Sequence, residues 1–234
     1  KHSDAIEQIE KINVKHISSK SMRYPYLATE LSNLAFSLSK IKRLDEAMVE
    51  ADKSISICKE RKEDDRHAII YPMTVKASIY LMQDNLSEAL KTAKEALKAI
   101  NEIKRLPLWM VPISIEQFKL INVCNIAIIS ILKDDRSKVE LQVMQIESIC
   151  NQTPDVVAPI HFSDLTKLAG CLKKIDRSDL AHKILQIVYG KASQIPFHPD
   201  IPPMLDIYEE VLKLEGRESE IGNMRAWLLP AKGC

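Results

Sequence analysis

The stretch NLSEALKTAKEALKAI, Asn85 to Ile100, decides the fold, because its pattern also stands 42 residues earlier in RLDEAMVEADKSISI, Arg43 to Ile57. In both stretches an Ala follows an acidic residue and opens an amphipathic segment; we call this place the marker position, held by Ala47 and Ala89. A further step of 42 residues towards the N-terminus reaches Ala5, in the similar stretch SDAIEQIEKI. Equal intervals of this length indicate an array of similar helical units.

The same pattern continues later in the chain with less regular spacing. The segment DRSKVELQVMQIESI places Val139 at the marker position, and DRSDLAHKILQIV places Leu180 or Ala181 there. The two intervals are 50 residues and then 41 or 42 residues. The register of this second half is therefore open by one residue.

A second apolar helix is predicted before each marker helix. PYLATELSNLAFSLSK and YPMTVKASIYLMQ both carry apolar side chains at helical spacing, with proline near the start, where its missing N–H costs little. Twelve residues before each of the markers 47, 89, 139 and 181 stands a small residue: Ala35, Ala77, Ala127 and Ala169. Small side chains at both places let the two helices approach closely. The predicted unit is helix, short turn, helix, then a longer connector.

These helix pairs resemble the tetratricopeptide repeat (TPR) family. The residues that carry the resemblance are Leu34-Ala35, Leu38, Leu44-Asp45-Glu46-Ala47 and Ser54, then Ala77, Tyr80, Leu86-Ser87-Glu88-Ala89, Ala93 and Ala96. The units exceed the family length of about 34 residues and lack its usual Trp, the Gly after Leu and the closing Pro. The resemblance implies an all-α fold, a right-handed α-solenoid of TPR-like helix-turn-helix repeats with about four to five pairs.

Two segments interrupt the array. KRLPLWMVPIS, Lys104 to Ser114, reads as a connector with an apolar anchor at Trp109, and SQIPFHPDIPPM, Ser193 to Met204, reads as extended because it holds four prolines. We therefore expect residues 1–192 to form the repeat array. Residues 193–234 are expected to add a proline-rich connector and a C-terminal capping helix pair within the same domain.

Composition limits the classes of partner and compartment. The net charge of +1 gives no basic excess for a nucleic acid, so no direct nucleic-acid binding is expected from this region. The five cysteines form no CxxC pair, and Cys124, Cys150 and Cys171 are expected to be buried free thiols, which fits a cytoplasmic location. The longest apolar run, Ile121 to Leu132, is too short for a membrane span.

No motif indicates catalysis. GxGxxG, Walker, GxSxG and HExxH patterns do not occur, and no two histidines stand at metal-ligand spacing on one helix face. His161 near Asp164 is a weak acid–base pair, since Asp164 suits a helix N-cap, and His182 is expected to be a surface contact with Asp179. We therefore expect neither an enzyme nor a bound cofactor or metal.

What remains is a binding surface. In the TPR family the concave groove is lined by first-helix positions that do not serve packing. Carried over residue by residue, the candidate positions are Thr29, Ser32, Asn33, Phe36 and Lys40 in one unit, Tyr71, Thr74, Val75 and Ser78 in the next, and Asn125, Lys167, Lys173 and Lys174 in later units. Only Asn33 fits the family's two-carboxylate clamp, so that specificity is not expected.

Two functions follow from the resemblance. The first is a module that binds a protein or peptide in the groove, such as an extended peptide or a helix with an acidic end. The alternative is the ligand-sensing part of a larger bacterial transcriptional regulator or sensor kinase. SDAIEQIEKI reads as the second helix of a pair whose first helix is missing, which indicates either a fragment of something longer or a processed N-terminus. A homodimer is a further option.

Overall fold

The computed structural model describes residues 24–60, 68–103, 112–195 and 198–226. All regular elements in these ranges are helical. Ten α-helices lie in the described ranges: α1 (Tyr24–Lys40), α2 (Leu44–Lys59), α3 (Ile70–Met82), α4 (Leu86–Asn101), α5 (Pro112–Leu132), α6 (Val139–Gln152), α7 (Phe162–Lys174), α8 (Ser178–Ala192), α9 (Ile201–Leu214) and α10 (Ile221–Ala226). Short 3₁₀ turns lie at Arg136–Lys138, Pro159–His161 and Glu218–Glu220. The first repeat around Ala5 and the Trp109 anchor lie outside the described residues.

The helices form consecutive pairs in two compact units, Lys1–Val111 and Pro112–Cys234, here called the N-terminal and C-terminal units. In the N-terminal unit α1 packs on α2, α3 packs on α4, and α3 also contacts both helices of the first pair. In the C-terminal unit the pairs are α5–α6, α7–α8 and α9–α10, and the first helices contact one another in the order α5, α7, α9. This succession of stacked pairs is the arrangement expected from the repeats.

The small residues lie where the sequence places them. All eight partners in the first four pairs are at most 1% exposed: Ala35 with Ala47, Ala77 with Ala89, Ala127 with Val139, and Ala169 with Ala181. Leu180 is also buried, at 2% exposed, and the twelve-residue spacing assigns the marker position to Ala181. The burial of all eight positions agrees with the pair-packing interpretation in both units.

A left-handed residue closes the first helix of each described pair, which the sequence analysis missed. Positive φ angles occur at Lys42, Asp84, Asp134, Asp176 and Gly216. The residue after each one donates its N–H to the carbonyl five positions back, for example Arg43 to Leu38 at 3.0 Å and Arg217 to Leu212 at 2.8 Å. This is the Schellman helix ending. Three of the five are Asp, whose short side chain tolerates this conformation better than most.

The fifth pair departs from the others, as expected of a cap. Counted from the left-handed residue, the places of the two small residues are taken by Glu209 and Ile221. Glu209 instead binds Arg225 of α10 at 2.8 Å, and Arg225 also binds Asp206 at 2.9 Å. The helix α10 has six residues and buries only Met224. Polar contacts therefore replace much of the close packing in this pair.

Two segments differ from their sequence predictions in where their helices begin. The segment 193–204 is not extended throughout, because α9 begins at Ile201 and takes Pro202 and Pro203 into its first turn, where no intrahelical N–H is required. The helix that contains the apolar run Ile121 to Leu132 is longer than the run, because it begins at Pro112 and includes Glu116 and Lys119. Among the described residues, the segment Ile115–Leu132 is long and apolar enough to cross a membrane by length and composition, and 67% of it is buried inside the fold.

Candidate functional site

One edge of α1 carries an uninterrupted line of non-core side chains. Thr29, Asn33, Phe36 and Lys40 follow one another at spacings of four, three and four residues, which places them on one stripe of the helix. Thr29 is exposed, and the other three are half-buried. The core residues, such as Leu34 and Leu38, occupy other faces of the helix. The four α1 candidates therefore form a continuous surface.

A hydrogen bond joins this stripe to α3. The Tyr71 hydroxyl donates to Asn33 Oδ1 at 2.8 Å. Burial, with a smaller effect from Glu30, raises the pKa of Tyr71 to about 12, so the hydroxyl stays protonated and remains a donor at neutral pH. The Tyr71 ring also packs against the hydrophobic core of this unit. The bond fixes the direction of the Asn33 amide and leaves its NH₂ group as the donor.

Phe36 and Lys40 form a second fixed pair on the same stripe. The Lys40 ammonium lies 4.9 Å from the centre of the Phe36 ring, a cation–π distance. One part of Phe36 packs on the core, and the residue as a whole stays half-exposed. No carboxylate among the described residues forms an ion pair with Lys40. The stripe thus offers an aromatic surface beside a cation.

Three of the predicted binding residues in this unit are buried and are therefore not accessible to a partner. Ser32 is 0% exposed, with its hydroxyl bound to the Ala28 carbonyl at 2.9 Å and 3.0 Å from the Ser54 hydroxyl. Thr74 is 2% exposed and donates to the Ile70 carbonyl at 2.8 Å, and Val75 belongs to the core. The prediction failed for Thr74 and Val75 because α3 packs against α1, α2 and α4 together, and it failed for Ser32 because that side chain faces Ser54 of α2.

Ser78 keeps a partly accessible position. It is half-buried, and its hydroxyl donates to the Thr74 carbonyl at 3.2 Å. The surface that remains in the N-terminal unit is called the α1–α3 face. It consists of Thr29, Asn33, Phe36, Lys40, Tyr71 and Ser78.

The C-terminal candidates divide in the same way. Asn125 is 3% exposed and therefore lies inside the unit, contrary to its prediction. Lys173 forms an ion pair with Glu210 of α9, so its charge is already matched within the unit. Lys167 and Lys174 are exposed and stand seven residues apart on one side of α7. The predicted basic surface thus reduces to these two lysines.

The described residues show no catalytic arrangement. Burial raises the pKa of Cys150 to about 11 and that of Cys124 well above its ordinary value, which disfavours the reactive thiolate. Within the ranges that the structure describes, no group of three or more His, Cys, Asp or Glu side chains could hold a metal ion. Cys58 and Cys124 are buried, whereas Cys150 and Cys171 are only half-buried.

Both discussed histidines are buried. His161 accepts a hydrogen bond at Nδ1 from the Ala158 N–H at 3.0 Å. It occupies the N-cap position of α7 without a side-chain capping bond, and Asp164, the predicted N-cap, lies within the first turn. His182 is 7% exposed, so its prediction as a surface contact is wrong. Its ring contacts the turn between α9 and α10 because that last pair covers this part of α8.

Comparisons with known proteins show the fold. No family model matches the chain, and no curated protein matches it significantly. The crystal structure of BtubC (BKLC) from P. vanneervenii superposes with a TM-score of 0.63 at 14% identity, covering 100% of this chain and 93% of that one. The nearly identical TPR-like repeats of a candidate kinesin light chain from Podosopora anserina give a TM-score of 0.58 at 13% identity, covering 88% and 95%. A second crystal structure of these repeats, carrying one substitution, gives 0.59 at 12% identity, covering 89% and 95%.

These likenesses agree with the architecture derived from the residues. The chain has an all-α, TPR-like solenoid fold, and the resemblance inferred from the repeated alanines is confirmed. TPR-like repeats generally mediate protein interaction and are typically scaffolds without enzymatic activity.

Proposed function

We propose that this chain is a protein-interaction module and that the α1–α3 face is its partner-binding surface. The observation that carries the proposal is the hydrogen bond between Tyr71 and Asn33, because it fixes a half-exposed amide donor at the surface of the unit. Side chains held in place before binding lose less conformational entropy when the partner arrives.

The chemistry of the α1–α3 face defines the partner class. The Phe36 ring can pack against an apolar side chain of the partner, and the Lys40 ammonium can pair with a partner carboxylate next to it. The Asn33 amide can donate to a main-chain or side-chain carbonyl. An extended peptide or a helix with an acidic group beside an apolar one meets all three requirements.

The two exposed lysines of α7 are assigned a subordinate role in the same function. Lys167 and Lys174 lie on one side of their helix and are not matched by carboxylates in the described part of the chain. They suit a further acidic stretch of partner. Their contribution is expected to be modest, since exposed ion pairs are worth about 0–1 kcal/mol.

Truncation of the aromatic group tests the proposal. Partners captured by the full chain are identified by mass spectrometry, and the affinity of each candidate is then measured for the Phe36→Ala variant. We expect affinity to fall about ten-fold or more, because removing an aromatic anchor at the centre of an interface costs about 2 kcal/mol. Unchanged affinity would mean that the α1–α3 face is not the partner-binding surface.

Matched variants separate binding from stability. Val49→Ala truncates an apolar side chain that is 51% exposed on α2, away from the α1–α3 face, and should leave affinity unchanged. Asn33→Ala removes the amide and its bond to Tyr71, whereas Tyr71→Phe removes only the bond. We expect Asn33→Ala to weaken binding more than Tyr71→Phe, with helicity checked by circular dichroism throughout.

A further inference from the structure

The contacts between successive pairs in the C-terminal unit follow a repeated plan. Arg177 and Arg217 each directly follow the left-handed residue of their turn. Each contacts the second helix of the preceding pair: Arg177 contacts Glu140, and Arg217 contacts His182. Glu140 and His182 are at equivalent positions, because each stands six residues after the left-handed residue of its own pair. The structure therefore places a histidine at the contact between the last two pairs, where the contact before it has a glutamate.

The two contacts differ in distance and exposure. Arg177 Nη1 lies 3.8 Å from Glu140 Oε2, and both side chains are substantially exposed, at 34% and 65%. Arg217 Nη1 lies 2.7 Å from His182 Nε2, where the histidine side chain is only 8% exposed. The first contact is an exposed ion pair, and the second is a partly buried hydrogen bond that requires an unprotonated nitrogen.

The short distance sets the protonation state of His182. Because a guanidinium can only donate, Nε2 must accept, and the single ring proton lies on Nδ1. That nitrogen is 3.4 Å from Glu215 Oε2 but makes no hydrogen bond within the described part of the chain. Protonation at Nε2 would set two donors against each other and break the contact with Arg217.

Few apolar side chains hold the segment that follows α9. Its other contacts are polar: Arg225 binds Glu209 and Asp206 of α9, and the Tyr189 hydroxyl of α8 donates to the Met224 carbonyl at 3.4 Å. In α9 six side chains are buried, whereas α10 buries only Met224. A cavity of about 170 Å³ lies between α8, α9 and α10. It is lined by Tyr189, Tyr208, Leu212, Glu220, Asn223 and Met224. The turn and α10 are therefore fastened mainly by polar contacts.

We propose that the His182–Arg217 contact is a proton-sensitive latch, which holds the α9–α10 turn and α10 against α8 at neutral pH and releases them in mild acid. The released part is residues 215–226, while α9 stays packed through its own apolar side chains. The preceding contact, between Arg177 and Glu140, contains no histidine and serves as the matched comparison.

The surroundings of His182 favour its neutral form. Burial and the Arg217 cation lower its pKa, while Glu215 and Glu220 act in the opposite direction. The ring of Tyr208, on α9, stands 5.4 Å away and stays neutral, because burial raises its pKa to about 12.

Charged side chains on each of the other neighbouring helices form ion pairs of their own. Glu147 of α6 pairs with Lys183, Lys173 of α7 with Glu210, and Arg225 of α10 with Asp206 and Glu209.

The direction of the pH effect follows from this lowered pKa. The released histidine has the higher pKa and binds the proton more tightly than the latched one. The latch is at full strength above the ordinary histidine pKa. It weakens as the pH falls through that value towards the lowered pKa, and below the lowered pKa it weakens no further.

Hydrogen exchange of the full chain tests the latch. Exchange is compared at about pH 7.5 and about pH 5.5, on either side of the ordinary histidine pKa, after correction for intrinsic rates. We expect residues 215–226 to lose protection several-fold in acid, while the buried part of α8 does not. His182→Gln keeps a neutral acceptor for Arg217 and should abolish this pH response. Glu140→Gln, the matched change one pair earlier, should leave it intact.

A titration of the His182 ring by nuclear magnetic resonance keeps the proposal falsifiable if His182→Gln fails to fold. The pKa of His182 should lie below its ordinary value in the wild-type chain and rise in Arg217→Gln. A pH response that persists in His182→Gln, the absence of a response in the wild-type chain, or an unchanged His182 pKa in Arg217→Gln would each overturn the latch.

Discussion

Replacing Ala89 with Leu is expected to lower the free energy of unfolding by about 1–3 kcal/mol, because the larger side chain must enter a filled space. Ala89 is 0% exposed at the place where α4 meets α3, and Ala77 on α3 is equally buried. Neither helix can yield freely, since α3 also packs on the first pair. Chemical denaturation followed by circular dichroism measures the change.

The control for this variant lies on the same helix. Ala99 of α4 is half-buried, so Ala99→Leu adds the same three carbon atoms with room to turn towards solvent and should change stability little. If Ala89→Leu proved as stable as the wild-type chain, the marker positions would not be the places of closest helix approach, and the repeat register would be wrong.

Replacing Phe162 with Ala is expected to destabilise the C-terminal unit by about 3–5 kcal/mol, the range for truncating a buried aromatic ring. Phe162 begins α7, is 1% exposed and meets the His198 ring edge-to-face at 5.5 Å. It therefore ties the start of α7 to the segment that leads into α9. Loss of the ring leaves a cavity as well as lost apolar burial. The same denaturation measurement applies.

A neighbouring residue supplies the comparison for Phe162. Ile160 stands two positions earlier and is 49% exposed, so Ile160→Ala removes apolar atoms without opening a cavity in the core. Its effect should stay within about 0.5 kcal/mol. Equal effects of the two variants would mean that Phe162 is not part of the packed interior.

Helix pairing could be derived from sequence because its signals are local. The twelve-residue spacing between Ala77 and Ala89 is set by one turn and two helix ends, and it recurs even between Ala127 and Val139, where the TPR resemblance is weak. The left-handed aspartates offered another local signal, since Asp84 and Asp176 each stand between an apolar helix and the next marker. An Asp in this position is therefore a sequence signal for the turn inside a helix pair.

The outcome for the candidate surface was mixed, and the reason is tertiary. Periodicity separates the core side of a helix from its other sides, but it does not tell which other side a neighbouring pair will cover. Ser32 and Thr74 are polar and look available, yet each satisfies its hydroxyl on a carbonyl four residues back and can be buried at little cost. His182 was misjudged for the same reason, because its partner Arg217 lies 35 residues away.

The central claim, that the α1–α3 face receives the partner, is tested most directly by finding where a partner touches the chain. A photoreactive amino acid is placed singly at Thr29 on α1, at Ser78 on α3 and at Val49, which is 51% exposed on α2. If the partner binds the α1–α3 face, one and the same polypeptide is cross-linked from positions 29 and 78 and not from position 49. Cross-linking of the partner from position 49 alone, or equally from all three positions, would contradict it.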